Sequence, residues 1–191
     1  MCGEENCMKQ KSLQYKIAIW LTMGLLVVDP LVMPFSYAEH PIEVDRQAPQ
    51  DRQAQVTQAA NGVTLVNVTG PTAGGVSRND YTKFNVPESG TILNNSYGMS
   101  NTVLAGYVPG NANMARGAAR VILNEVTSTN PTAMKGFLEV AGQKASVVVA
   151  NPNGISVDGG GFINTDRAVL TTGKPELTAD GNIQTYRVAQ G

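Results

Sequence analysis

The side chains able to do chemistry are few and scattered. The single histidine, His40, stands beside Pro41 in a polar stretch. One imidazole cannot build a metal cluster, and no serine lies beside it to be activated as a nucleophile. Both cysteines, Cys2 and Cys7, sit at the extreme amino terminus. Glu125 and Glu139 could be called a carboxylate pair for acid–base work, but each lies in an alternating strand and reads as outward-facing. Asp158 and Asp166 flank Gly159-Gly160-Gly161, a loose echo of calcium-binding GGxGxDxUx repeats. A single copy without tandem repetition reads as a turn. No GK[ST] and no helix follow these glycines, so they are not a phosphate-binding loop. Arg116 and Arg120 read as solvated surface. The expected set of catalytic residues, metal ligands and cofactors is therefore none.

Composition agrees. The 191 residues carry a formal net charge of −1, with 6% aromatic residues. No charged field points to nucleic acid or an anionic membrane. Abundant Gly, recurrent Val and Thr, and Asn around the turns favour short strands joined by tight corners.

The amino terminus differs from the rest. Lys9, Lys11 and Lys16 precede an apolar run from Ile17 to Val28. That run is too short to span a bilayer, which takes ~20 residues, and it fits the core of a signal peptide. Asp29-Pro30 breaks it, and Ser36-Tyr37-Ala38 supplies small residues for cleavage after Ala38. Residues 1–38 are expected to be a signal peptide, with no stable membrane insertion after its removal. The mature chain would then hold no cysteine, which suits a polypeptide that threads a pore unfolded. Residues 39–60 are polar, show no apolar period and are expected to form a flexible leader.

From Asn61 the pattern becomes strand and corner. Gly62–Val68, Tyr81–Val86, Thr91–Leu93, 102–108 and Arg120–Val126 read as strands. In Tyr81–Val86, alternation places Tyr81, Lys83 and Asn85 opposite Thr82, Phe84 and Val86. Gly136–Val140, Ala145–Val149 and Ile155–Val157 follow. Between the last two, Asn151-Pro152-Asn153-Gly154 has turn chemistry: Asn caps, Pro presets φ and Gly closes. The apolar markers Val147, Ile155, Ile163, Leu170, Leu177 and Ile183 are spaced by 8, 8, 7, 7 and 6 residues. Three such segments would make one coil of roughly 20–25 residues, within the range of stacked repeats. An antiparallel sandwich spaces its strands more widely, at about 8–12 residues. The pattern favours the solenoid. Ala141-Gly142 and Ala179–Asn182 are the two hairpin-like turns.

The string from Ala118 to Leu177 holds RVILNEV, GFLEVAG, ANPNGI, DGGGFINT and LTTGKP in order. It resembles the two-partner-secretion (TpsA-type) domain of filamentous haemagglutinins and contact-dependent growth-inhibition proteins, the haemagglutination-activity domain. The resemblance reaches back to about Asn61. It implies an all-β, right-handed parallel β-helix over residues 61–191, with an amino-terminal cap and small extra-helical sheets. Two asparagine turns carry over. NPNGI is intact at Asn151, Pro152, Asn153, Gly154 and Ile155. The first turn, usually NPNL, stands as Asn111, Ala112, Asn113 and Met114. Without proline it lacks a locked φ and is expected to survive with slightly lower stability.

The resemblance also implies export through the periplasm of a Gram-negative bacterium to the cell surface or medium. The implied partner is an outer-membrane TpsB-type β-barrel transporter, acting through its periplasmic domains. A host-cell or bacterial-surface receptor is a second class of partner. The two asparagine turns and the Asn61–Gly75 region are the expected recognition and folding elements. Family members are far longer, so the chain is expected to be a fragment of an adhesin or contact-dependent inhibition toxin, with a free-standing secreted domain as the other reading. The alternative is a secreted β-helix enzyme of the polysaccharide-lyase kind, which would need clustered carboxylates and calcium.

Overall fold

A computed structural model of the chain describes residues 40–188. The signal peptide expected at 1–38 lies outside the described residues. Strand β1 (Ile42–Val44) and strand β2 (Gln55–Gln58) open the fold, with a short 3-10 turn at Gln50–Arg52 between them. The chain then winds through three faces in a fixed order.

The first coil holds β3 (Thr64–Asn67) and β4 (Val76–Phe84), and Val86 completes it with a parallel bridge to Met134. The second begins at β5 (Thr91–Asn95). It is interrupted by an antiparallel hairpin, β6 (Ser100–Thr102) and β7 (Gly106–Val108), and a 3-10 helix at Ala112–Arg116. It resumes as β8 (Val121–Val126) and β9 (Thr132–Met134). The third coil is unbroken: β10 (Phe137–Gly142), β11 (Ala145–Ala150) and β12 (Ile155–Val157). The fourth holds β13 (Gly161–Ile163) and β14 (Thr165–Thr171), followed by a hairpin of β15 (Lys174–Leu177) and β16 (Ile183–Arg187).

Parallel pairing stacks the coils. The first face runs β3–β5–β10–β13, the second β4–β8–β11–β14 and the third β9–β12. Thr64 aligns with Thr91, Val121 with Ser146, and Val147 with Ala168, so an uninterrupted coil takes 21 to 27 residues. The chain is a parallel β-helix, as the corner spacing predicts. The insertion widens the step from Thr91 to Leu138 to 47 residues, which hides the repeat in the sequence.

The coil interior is apolar. Val66, Leu93 and Val140 stack across the first face, and Ile122 and Val147 across the second; all are buried. Tyr81 and Phe84 both point inward, with ring centroids 5.0 Å apart. Strict alternation puts them on opposite faces. The register instead slips between Glu43 and Val44, which pair with Lys83 and Tyr81. This bulge adds a residue to β4 and returns Phe84 to the core.

Residues 40–60 are not the flexible leader that their composition suggests. β1 pairs antiparallel with β4, and β2 with β3, so each covers the amino-terminal edge of one face. Ile42, Val44 and Ala54 join the main core, and Val56 packs against it. Each strand is too short for its few apolar residues to show a period. The folded boundary thus lies before Asn61. The turn at Ala141-Gly142 is also not a hairpin: it carries the chain from the first face to the second. Ala179–Asn182 does close one, between β15 and β16.

The cap makes a measurable demand. Ile42→Ala should cost about 2–5 kcal/mol of folding stability, as for a buried core residue. A loss below roughly 0.5 kcal/mol in urea unfolding, typical of a surface position, would mean that the segment does not pack.

Candidate functional site

The two asparagine turns are built alike. Asn111 and Asn151 are both buried. The Asn111 side-chain amide donates to the Val68 carbonyl at 2.8 Å and the Asn94 carbonyl at 2.9 Å, and its Oδ1 accepts the Asn113 N–H at 3.0 Å. The Asn151 amide donates to the Asn130 carbonyl and to Thr132 Oγ1, both at 2.9 Å, and its Oδ1 accepts the Asn153 N–H at 2.9 Å. Each asparagine therefore closes its own turn and clasps the coil before it. Asn113 adds a bond to the Val68 carbonyl at 3.0 Å, and Asn153 one to the Ser128 carbonyl at 2.6 Å.

What the turns expose is small. Pro152 and Asn153 are exposed, as are Ala112 and Asn113. Gly154 takes φ +104°, which a side chain would strain, and Ile155 packs against the core edge. Met114, where the usual motif has leucine, is buried in the main core. The methionine thus fills an apolar position of similar volume, a tolerated exchange. A polar cleft lined by Gln50, Gln53, Thr69, Asn113 and Arg116 adjoins the first turn.

Other polar side chains do related work that sequence reasoning missed. Asn95 donates to the Ala119 and Gln143 carbonyls, each at 2.9 Å. Asn79 and Asn124 are register partners, and each donates to the next coil, at Leu123 and Val148 respectively. Beside them, Asp80 pairs in register with Glu125 on the outer side of the second face. Two carboxylates side by side repel, and Arg78 bridges them: Nε lies 3.1 Å from Asp80 and Nη2 2.7 Å from Glu125. Arg52 of the cap lies 3.8 Å from Asp80. A signal was present: Asn-acid follows Arg78 as Asn79-Asp80 and Leu123 as Asn124-Glu125. The pairs are 45 residues apart, a step set by the insertion rather than by the coil.

Glu125 and Glu139 point outward from the coil, as alternation predicts, but neither is solvated: both are 3% exposed. They lie on different faces and form no pair. Burial pushes the carboxyls of Asp80 and Glu125 above their ordinary values, against the opposing pull of Arg78. Asp45 is held below its ordinary value, first by the Thr127 hydroxyl and then by the Gln47 N–H. Asp158 is exposed, and Gly160 turns at φ +74°, where a Cβ would lie 2.1 Å from the Gly136 carbonyl oxygen. The triglycine is therefore a corner where coils meet. Asp166 lies 3.9 Å from Lys144, both exposed. His40 is exposed, and Arg120 donates to the Gly74 carbonyl. Among the described residues no group of three or more His, Cys, Asp or Glu could hold a metal ion, and no helix is long and apolar enough to cross a membrane.

Fold and turns together define a class: a capped parallel β-helix with extra-helical hairpins, whose polar side chains serve stacking. Comparison with known proteins narrows it. Residues 41–191 match the model of the TPS secretion domain family. The chain is 49% identical over 154 residues to toxin CdiA of Yersinia pestis, covering 81% of this chain and 5% of that protein. It is 49% identical over 140 residues to a tRNA nuclease CdiA of Escherichia coli, covering 72% and 4%. The solved filamentous hemagglutinin secretion domain superposes with a TM-score of 0.66 at 37% identity, over 74% of this chain and 45% of that one. The chain belongs to the two-partner-secretion domain family. It spans only about a twentieth of the length of these curated relatives, and the toxin and nuclease names are those of the whole proteins.

Two outcomes follow from the geometry. Ala112 is the first residue of its 3-10 helix, where proline is welcome. Ala112→Pro should raise stability by about 0.4–1 kcal/mol, read from urea midpoints, and a loss would show the turn to be incompatible with proline. The second concerns pH. Asp80 and Glu125 keep their protons to higher pH in the folded chain than in the unfolded one. Their contribution is present below the ordinary carboxylate values and lost as pH rises through the raised ones. Asp45 works in the opposite sense, at lower pH. Urea midpoints should therefore decline from the ordinary carboxylate range towards neutrality, less steeply in Asp80→Asn. An equal slope in both proteins would contradict the assignment.

Proposed function

We propose that this domain is both the address and the folding seed of a two-partner-secreted exoprotein. Family membership supplies the coarse statement: a secretion domain, whose relatives are exported to the cell surface or the medium. The finer reading is a sequence of events. Residues 1–38 direct the chain across the inner membrane and are removed. The mature chain stays unfolded in the periplasm, where periplasmic domains of a TpsB-type transporter bind it by strand addition. It crosses the outer membrane amino terminus first and folds outside.

One observation carries this reading: each asparagine turn is completed by the coil made before it, Asn111 by Val68 and Asn151 by Asn130 and Thr132. At these two turns a chain delivered amino terminus first finds the partner already in place. Each new coil also buries Val, Ile and Leu on the previous one, at ~25 cal/mol per Å² of apolar surface. Nearest-neighbour stabilisation of this kind favours forward movement without ATP. We assign transporter recognition and nucleation to Asn61–Gly75, to Asn111 and Asn113, and to Asn151, Pro152, Asn153, Gly154 and Ile155. The larger exoprotein would act as an adhesin or a contact-dependent inhibitor through receptors on a host or bacterial surface.

The β-helix lyase reading gains no support from the relatives, which are secretion-domain proteins. The test is export. In a Gram-negative host, the domain should become accessible to added protease, or appear in the medium, only when the cognate transporter is co-expressed. Equal export without the transporter would overturn the proposal.

A further inference from the structure

We infer that Glu139 is a latch that makes docking of the β6–β7 hairpin conditional on the third coil. Glu139 lies on the outer side of the first face, in register with Ile92 on one side and Ile163 on the other. A carboxylate buried in an apolar row is costly unless its oxygens are satisfied. Here Oε1 accepts the Val103 N–H at 2.7 Å, and Oε2 accepts the Leu104 N–H at 2.8 Å. Both donors belong to the tip between β6 and β7, which precedes Glu139 in the chain by 36 and 35 residues.

The apolar seat of the tip comes largely from earlier chain, although β6 itself also lies against β10. Leu104 and Ala105 pack against Ala59, Val63, Leu65, Ile92 and Val108, with Ala141 the later addition. The Asn61 amide donates to the Leu104 carbonyl at 2.9 Å. Thr102 Oγ1 closes the tip from within, donating to the Gly106 carbonyl and accepting the Ala105 N–H. Before the third coil forms, the tip therefore has its apolar seat and one acceptor satisfied, but two N–H groups lack their ligand. Charge-assisted bonds of this kind are about twice as strong as neutral ones. Glu139 thus converts a loosely seated hairpin into a fixed one.

The consequence concerns what the hairpin displays. Tyr97, Met99, Val103 and Tyr107 are each at least 67% exposed. No residue from 89 to 115 carries a charge. This neutral apolar surface acquires a defined geometry only when β10 has been laid down. Glu139 is a positioning residue: it acts through the tip backbone. The order in which latch and hairpin reach the outside rests on the export reading above. The latch itself does not, and it is tested on purified protein, so either can fail alone.

Amide exchange on the full chain decides it. Glu139→Gln keeps the volume and loses one acceptor; Glu139→Ala loses both. Exchange at Val103 and Leu104 should quicken roughly tenfold or more in Glu139→Gln, from the loss of a charge-assisted bond, and further in Glu139→Ala. Val147 and Val149 in β11 should keep wild-type rates. Unchanged rates at the tip, or equal acceleration in β11, would overturn the latch. Pulse-labelled refolding of the wild type gives a second readout should a variant fail to fold. Protection at Val103 and Leu104 is expected to arrive with that of β10; protection arriving with β5 would overturn the inference.

Discussion

At several corners of this β-helix backbone carbonyls turn out of their ladders, and asparagine side-chain amides satisfy them. An unpaired carbonyl in such a place costs on the order of 1–3 kcal/mol. Asparagine suits the position because one short side chain carries two donors and an acceptor. At Asn111 and Asn151 the acceptor closes the local turn while the donors reach neighbouring backbone. At Asn164, the non-glycine residue described with positive φ, the amide spans the Val140 and Gly142 carbonyls. The same side chain that makes a corner thereby fixes which coil lies beneath it. Turn chemistry and stacking register are one constraint.

On the first and second faces, β3, β5, β8, β10 and β11 are buried on both sides over most of their length, and this explains why those strands read so evenly. Leu123, Val148 and Ala150 point away from the coil interior yet are covered, with Leu177, Ile183 and Tyr186 of the last hairpin packing against them. Leu65 and Ile92 are likewise covered on the first face by the Asn61 loop and the β6–β7 tip. Strands covered on both faces lose the hydrophobic-polar alternation of a half-exposed sheet. The extra-helical hairpins are thus lids over second cores. The polar groups beneath them, Glu139 under one and the Arg78 cluster near the other, fix where each lid sits.

Sequence made the fold class legible because corner spacing and turn composition are local. NPNG at 151–154 announces its turn without help from the rest of the chain. Three things were not legible, each for a physical reason. In the cap, Ile42–Val44 pairs antiparallel with β4 far along the chain, whereas Gln55–Gln58 pairs with the next strand, and the apolar residues of both are too sparse to declare a period. The inward turn of both Tyr81 and Phe84 depends on a bulge, which exists only once β1 is beside β4. The burial of Glu125 and Glu139 depends on neighbouring charge and distant backbone. Alternation gave their direction correctly. It cannot reveal that something else covers the outward side.

The amount of buried polarity also suits a chain that must exist unfolded before it folds. Replacing a buried ionic cluster such as Arg78–Asp80–Glu125 by apolar residues often leaves a protein equally or more stable, so stability alone does not favour it. An unfolded chain faces a different constraint: short β-prone apolar windows of low charge aggregate. Ala145–Ala150 is such a window; β8, which stacks beside it, carries Asn124 and Glu125, and β4, next beyond, carries Asn79 and Asp80. Those residues keep the earlier segments polar while extended, and become satisfied once coiled, the asparagines by carbonyls of the next coil and the acids by Arg78. Polarity that is solvated in the extended chain and paired in the coiled one separates the two states more sharply than apolar surface alone, because apolar surface drives misassociation as readily as folding.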